Sequence, residues 1–531
     1  MLSSIRVLQR HSVIKRRSLS SSRGLVSNDF LQASLRWRER LASDAESMDA
    51  DLVQLDTNEW DALLQKIKSP ATKEWLDSQT GLIRLPKLLV SDVAPELPGC
   101  RSEAESIMLL RLDADAQPSE GSFLPPSKQW HALSSARSER PHRVQQIRGV
   151  AEAADSYLSS CYTFDRYQAL KKTDSKPLLK LHFPNLPNEM EPLMSAIYWT
   201  QDLISAPANV LTPGALQHAA QDWADSVDHV EVETVVGDDL LTYNGGLSTD
   251  FGCGLIHAVG RGAQEPDREP RLIMLRYRPS TATTANNTST PHIALVGKGV
   301  TFDTGGLNLK SGDSMLNMKK DMGGAALALG LLRVLVERNF PKPIDCWIPA
   351  VENVMDANSY RPGDILTSVN GTTTEIGNTD AEGRLILADA LVLASATKPD
   401  MILDFATLTG AQRVALGLDI PAVFGNDPKH IPGIMKAAGI ERDPIWQLPL
   451  WEGYRHRVKS KIANLRNVPS DGGMGGAITA ALYLSEFVDK DIPWFHIDFN
   501  GLDKNTGLGQ APTLRTFNRF LWSHYADGQM S

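Results

Sequence analysis

Between residues 271 and 410 the chain alternates two kinds of apolar run. The segments "RLIMLRYR" (271–278), "HIALVGKGVTFD" (292–303), "DCWIPAVEN" (345–353) and "MILDFATLTG" (401–410) are short and rich in aliphatic residues, and predict buried strands. The segments "GGAALALGLLRVLVERN" (323–339) and "GRLILADALVLASAT" (383–397) are longer, carry helix formers and predict helices. Strands that are apolar on both faces, alternating with helices, imply an α/β fold: a mostly parallel or mixed sheet flanked by helices. In such sheets the chemistry collects just beyond the carboxyl ends of the strands.

Upstream the pattern weakens. Over 29–180 "WDALLQKIKSPATKEWL" (60–76) reads as amphipathic helix and "SIMLLRLD" (106–113) as a strand, which suits a smaller N-terminal α/β domain without a chemical motif. The Pro- and Asn-rich "LHFPNLPNEMEP" (181–192) predicts a connector, placed over 181–199, ahead of a C-terminal domain at 200–531. A chain of 531 residues exceeds the size at which a single core stops growing, which agrees with two domains.

Charge changes the picture at one end. Residues 1–28 hold six basic residues and no acid, with Leu2, Ile5 and Leu8 interleaved, so the formal charge of −9 becomes −15 for the rest of the chain. That composition is expected of a mitochondrial transit peptide directing the protein to the matrix, with a basic tail on a cytoplasmic protein as the alternative. An acidic remainder disfavours nucleic acid as a partner. No run of eighteen apolar residues occurs, so no membrane span is expected. The four cysteines are far apart and form no CxxC pair, which argues against a thiolate metal site or a disulfide scaffold.

The strand-end rule selects the polar residues of three loops. "VGKGVTFDTGGLNLK" (296–310) supplies Lys298, Asp303 and Lys310; "MKKDMGG" (318–324) supplies Asp321; "NTDAEGRL" (378–385) supplies Asp380, Glu382 and Arg384. Four carboxylates cannot share a small space as anions without positive charge. Two divalent cations fit that number of oxygen ligands, and would polarise a carbonyl and lower the pKa of a water to roughly 7. No histidine lies in these loops, which leaves zinc, manganese or magnesium open. Each part also has a plain reading: Asp321 and Asp380 as helix N-caps, Glu382 and Arg384 as a surface ion pair, Lys298 and Lys310 as solvated groups. No GxxxxGK[ST] motif is present, so the glycine pairs do not form a P-loop.

These blocks, followed in order by "ATLTGA" (406–411), resemble the signature blocks of the leucyl (cytosol) aminopeptidase family, of which "NTDAEGRL" is the hallmark. The resemblance runs from "TQDLISAPANVLTP" (200–213) to near the C-terminus. It implies a metallo-exopeptidase that releases N-terminal leucine and other bulky apolar residues from peptides, with two Zn²⁺ or Mn²⁺ ions per subunit. One ion falls to Lys298, Asp303, Asp321 and Glu382; the more exchangeable one falls to Asp303, Asp380 and Glu382. Lys310 is then expected to stabilise the oxyanion, and Arg384 to hold a bicarbonate ion acting as general base. Met318, Asn378, Ala381, Thr407, Leu408 and Gly410 occupy positions that line the family's substrate site, with Ala477 from "GGMGGAITAALYLSEF" (472–487) beside them. The resemblance also implies a homohexamer. The rival readings are a family member that has lost catalysis and kept a structural or DNA-binding role, and a two-metal phosphoesterase.

Overall fold

The computed structural model describes residues 187–280 and 292–526 continuously, with 50–55, 63, 65–66, 82–84, 106–111, 142–146, 158–159, 161–164, 166–167 and 181–182 in the N-terminal region. The basic segment 1–28 lies outside the described residues. Of the helix expected over 60–76, the described residues Leu63, Gln65 and Lys66 are helical. The N-terminal strands are β1 (Ala50–Leu55), β2 (Leu82–Arg84), β3 (Ser106–Arg111), β4 (His142–Gln146) and β5 (Leu181–His182), ordered β2-β3-β1-β4-β5. β3 is the strand expected from "SIMLLRLD". Only the β2–β3 pair is antiparallel.

The connector expected over 181–199 holds structure instead. β5 occupies 181–182, and helix α1 (Met190–Ser205) starts inside the span. α1 is buried on nearly every side, and Thr200 Oγ1 donates to the Ala326 carbonyl at 3.2 Å. Its prolines lie before or in the first turn, where a missing N–H costs nothing.

A nine-stranded mixed sheet carries the C-terminal region. Its strands are β6 (Val230–Val236), β7 (Arg271–Tyr277), β8 (Ile293–Gly297), β9 (Gly299–Asp303), β10 (Ile344–Asn353), β13 (Met401–Ala406), β14 (Ala422–Gly425), β15 (Trp446–Gln447) and β17 (Trp494–Asp498). The order is β15-β14-β17-β13-β8-β10-β7-β6, with β9 pairing the distal half of β10. The central run β17-β13-β8-β10 is parallel, and β14, β7 and β6 join antiparallel. A small sheet of β11 (Ile365–Thr367), β12 (Thr373–Glu375) and β16 (Leu465–Arg466) lies beside it in sequence order β11-β12-β16.

Both faces of the large sheet are covered, which explains its continuous apolar strands. Ile293, Leu295, Leu403 and Phe405 pack with α1, α4 (Gly323–Glu337) and α9 (Leu514–Tyr525). Ala294, Val296, Ile402 and Ala406 pack with α3 (Gly254–Gly260), α5 (Gly383–Ala396) and α8 (Gly476–Ser485). The period-2 alternation of strand side chains thus feeds two cores. The run 292–303, read as one segment in sequence, breaks at Lys298 into β8 and β9. There the Lys298 N–H donates to the Phe405 carbonyl and its carbonyl accepts from Ala325.

Candidate metal and catalytic centre

Lys298 sits at the break where β8 ends, and its side chain is almost wholly buried. Its ammonium nitrogen lies 2.8 Å from Asp321 Oδ2 and 2.9 Å from Glu382 Oε1, and donates to the Thr407 carbonyl at 3.2 Å. Asp303 closes β9, after which Gly305 and Gly306, at φ +88° and +62°, turn the chain back towards Lys310. The Lys310 ammonium lies 2.8 Å from Asp303 Oδ2 and contacts Asp380 Oδ1. Asp321 arrives on a 3-10 turn, Met318–Met322, that runs directly into α4. Its Oδ1 accepts from Thr407 Oγ1 at 2.8 Å.

The plain readings of these residues do not survive the geometry. The position before α4 is Met322 and that before α5 is Glu382, and neither makes a side-chain cap bond. Asp321 and Asp380 are therefore not caps. Lys298, Asp303, Asp321 and Glu382 are 2–3% exposed, and Arg384 7%, so they are not solvated surface groups. Carboxylate oxygens of Asp303, Asp380 and Glu382 come within 4.8 Å of one another.

Two ammonium groups against four carboxylates leave negative charge uncompensated in a buried space. Burial, then Glu382 and Asp321, push the Asp303 carboxyl well above its usual range. Burial raises Asp380 and lifts Asp321 to about 6. Burial works against ionised Glu382 too, but Lys298 and Lys310 outweigh it and hold that carboxyl at about 2. Glu382 Oε2 is buried and accepts no hydrogen bond. Hard oxygen donors short of positive charge, one of them unpartnered, fit divalent cations.

A second layer of polar residues, not singled out by sequence reasoning, binds the loops together. Asn353, at the end of β10, donates to Asp303 Oδ1 (2.8 Å) and to the Thr379 carbonyl (3.0 Å). Thr379 Oγ1 donates to the Gly305 carbonyl and accepts from the Asn308 N–H, while Asn308 Oδ1 accepts from the Thr379 N–H. The Tyr360 hydroxyl donates to the same Thr379 carbonyl at 2.6 Å. Asp498, ending β17, accepts from the N–H groups of Leu408 and Thr409 and from Thr409 Oγ1. The strand-end rule could have selected Asn353 and Asp498, since both close strands of the large sheet.

The remaining expected positions fall on the following elements. Asn378 Oδ1 accepts from the Asp380 N–H, and the Ala381 carbonyl accepts from Asn467 Nδ2. Arg384 opens α5, its Nη1 donates to the Asn467 carbonyl at 2.6 Å, and its Nε has no partner. Met318 begins the turn that delivers Asp321; Leu408 follows Thr407; Gly410 starts helix α6 (Gly410–Leu416). Ala477 is buried in a cluster with Ala422, Phe424 and Ala481, against which Ala411 packs.

An α/β sheet that gathers acids and lysines at its strand ends is suited to holding divalent cations, and comparison with known proteins gives the class as a peptidase hydrolase. The sequence profile of the cytosol aminopeptidase family, catalytic domain, matches residues 198–516. A probable cytosol aminopeptidase of Syntrophotalea carbinolica is 36% identical, over 76% of this chain and 81% of its own. The crystal structure of the cytosol aminopeptidase from Coxiella burnetii superimposes with a TM-score of 0.75 at 32% identity, covering 91% of this chain and 99% of that one. The bottromycin maturation enzyme BotP, solved in complex with Mn, gives 0.71 at 26% identity, over 90% of this chain and all of its own. The chain belongs to the cytosol aminopeptidase family, and is a metal-dependent aminopeptidase.

Proposed function

We propose that this enzyme removes N-terminal leucine and other bulky apolar residues from peptides with two divalent cations, Zn²⁺ or Mn²⁺, held at the strand-end carboxylates. The observation that carries this reading is the convergence of Asp303, Asp380 and Glu382 within 4.8 Å, flanked by buried Lys298 and Asp321. Lys298, which must give up its ammonium proton to act as a ligand, would hold one ion with Asp303, Asp321 and Glu382; Asp303, Asp380 and Glu382 would hold the other. The manganese in the BotP structure supports a divalent cation of this type. The ions supply Lewis acidity towards the scissile carbonyl and a water of lowered pKa.

This chain's own residues do the rest. Carboxylates on two sides raise the affinity of the Lys310 amine for its proton, although burial opposes it. It therefore presents a fixed positive charge where negative charge develops on the carbonyl oxygen. Arg384 is buried with Nε unpartnered, and suits a small anion such as bicarbonate that takes up a proton. Met318, Ala381, Gly410 and Ala477 form the apolar part of the substrate site, while Asn378, Thr407 and Leu408 orient the peptide backbone.

The subunits are proposed to assemble as a homohexamer, which molar-mass measurement on a sizing column tests. No helix among the described residues is long and apolar enough to cross a membrane. Localisation in the mitochondrial matrix rests on residues 1–28 alone; bacterial relatives named cytosol aminopeptidases fit the cytoplasmic alternative. A reporter joined after residue 28 distinguishes the two. For the activity, purified enzyme is supplied with Mn²⁺ or Zn²⁺ and leucine p-nitroanilide. Turnover that is absent from metal-replete, folded protein overturns the proposal.

A further inference from the structure

We infer that Asn467 is the positioning residue that sets the spacing between the metal-holding acids and Arg384, an inference that rests on the two-metal reading above. Asn467 follows β16, which pairs parallel with β12 through Thr374–Leu465 and Glu375–Arg466. The Asn467 N–H continues that ladder to the Glu375 carbonyl. This registry brings a fully buried primary amide against the turn 377–381, some ninety residues away in sequence.

Both halves of the amide are spent on that turn. Oδ1 accepts from the N–H groups of Gly377 (2.8 Å) and Asn378 (3.3 Å). Nδ2 donates to the carbonyls of Asn378 (2.6 Å) and Ala381 (3.3 Å). Asp380 lies between those two carbonyls, and Glu382 follows them. The Asn467 main-chain carbonyl meanwhile accepts from Arg384 Nη1 at 2.6 Å. One residue therefore fixes the acid-bearing turn through its side chain and the guanidinium through its backbone.

Only a carboxamide of this length supplies an acceptor and two donors at once. A carboxylate keeps the acceptor but sets its second oxygen, which has no hydrogen to donate, against the carbonyls of Asn378 and Ala381. A methyl group removes the side-chain partner of four backbone groups, of which the Asn378 carbonyl keeps a long bond from the Ala381 N–H at 3.4 Å. Groups that orient metal ligands from behind typically change metal affinity or rate by roughly 10–100-fold when removed.

The test uses the full chain, with Mn²⁺ binding measured by titration calorimetry and turnover measured separately. Asn467→Asp, which is nearly isosteric, and Asn467→Ala are compared with Asp443→Asn. Asp443 accepts from the N–H groups of Thr513 and Thr516 at the start of α9 and makes no hydrogen bond to the 377–384 loop. The Asn467 variants are expected to bind one of two Mn²⁺ equivalents about 10–100-fold more weakly. Their kcat per folded molecule should fall by a similar factor, with KM changed much less; Asp443→Asn should lower the unfolding temperature alone. Folded Asn467→Asp with wild-type Mn²⁺ affinity and kcat overturns the inference. So does failure of both Asn467 variants to fold while Asp443→Asn folds, which makes Asn467 a scaffold residue. A wild-type protein that binds no second Mn²⁺ overturns the two-metal reading first, and this inference with it.

Discussion

Asp380 is the most accessible of the four acids, its side chain 31% exposed, whereas Asp303, Asp321 and Glu382 are enclosed. Under the proposed ligand assignment, the ion that Asp380 would hold is the one nearer solvent and the easier to remove. Asp380→Ala is expected to lose activity and one metal equivalent, measured by elemental analysis of dialysed protein. Two retained equivalents with normal turnover would contradict the ligand assignment. Arg384 is buried, its Nη1 is held by the Asn467 carbonyl, and its Nε has no hydrogen-bond partner. Arg384→Ala should reduce kcat by about 10²-fold or more, the usual contribution of a placed proton acceptor, while KM moves only a few-fold. A steady-state comparison separates the two; a change confined to KM would relocate Arg384 to substrate binding.

At the level of elements, the site depends on how closely α4 meets the sheet. A Cβ on Gly324 would lie 2.0 Å from the Phe405 carbonyl oxygen and 2.8 Å from the Lys298 nitrogen, both backbone atoms that cannot step aside. The approach is matched from the strand side, where a Cβ on Gly297 would meet the Gly324 carbonyl at 2.6 Å. This contact places Asp321 beside Lys298. Gly324→Ala should destabilise the fold by about 1–3 kcal/mol and reduce activity further by spreading that pair; denaturant unfolding and turnover measure the two effects. Two strands away, β17 buries His496, whose Nδ1 lies 2.5 Å from Asp404 Oδ1, while Trp494 Nε1 donates to Asp404 Oδ2. Burial opposes the charged imidazole, but Asp404 outweighs it and raises the His496 pKa above its ordinary 6.5. The ionised pair therefore stabilises the fold fully below that ordinary value, and its contribution is lost as pH rises through the raised folded value. The unfolding temperature should fall over that range relative to His496→Gln, which carries no charge to lose. Parallel pH profiles for the two proteins would exclude the effect.

For the whole molecule, the acid-rich centre is a local cost that bound cations relieve. Burial and mutual repulsion raise the Asp303 and Asp380 carboxyls. Removing metal with a chelator should therefore lower the unfolding temperature and abolish activity. Adding Mn²⁺ back at 100 times its dissociation constant should restore about 2.7 kcal/mol per site. A melting temperature indifferent to chelator and Mn²⁺ would show that no cation binds the folded state preferentially.

Much of this architecture was legible in one dimension. The apolar runs at 271–277, 293–297, 344–353 and 401–406 are strands because burial on both faces demands uninterrupted hydrophobicity. The same logic made α4 and α5 readable, and the strand-end rule gathered Lys298, Asp303, Asp321, Asp380 and Glu382 before any coordinates. The start of α1 was not legible, because prolines in and before its first turn look like a linker until packing against α4 is seen. The antiparallel entry of β7 and β14 was equally hidden, since neither strand carries its direction in its composition.

The sequence by itself determined the element types and the chemical inventory, because hydrophobic period and side-chain identity are local properties. Tertiary structure alone decided which lysine faces which acid, that Asp321 and Asp380 are not helix caps, and that Asn353, Asn467 and Asp498 bind the loops together. Contacts such as Asn353–Asp303, Asn467–Asn378 and Leu408–Asp498 join residues 50 to 90 positions apart, and no local pattern along the chain encodes a partner at that distance.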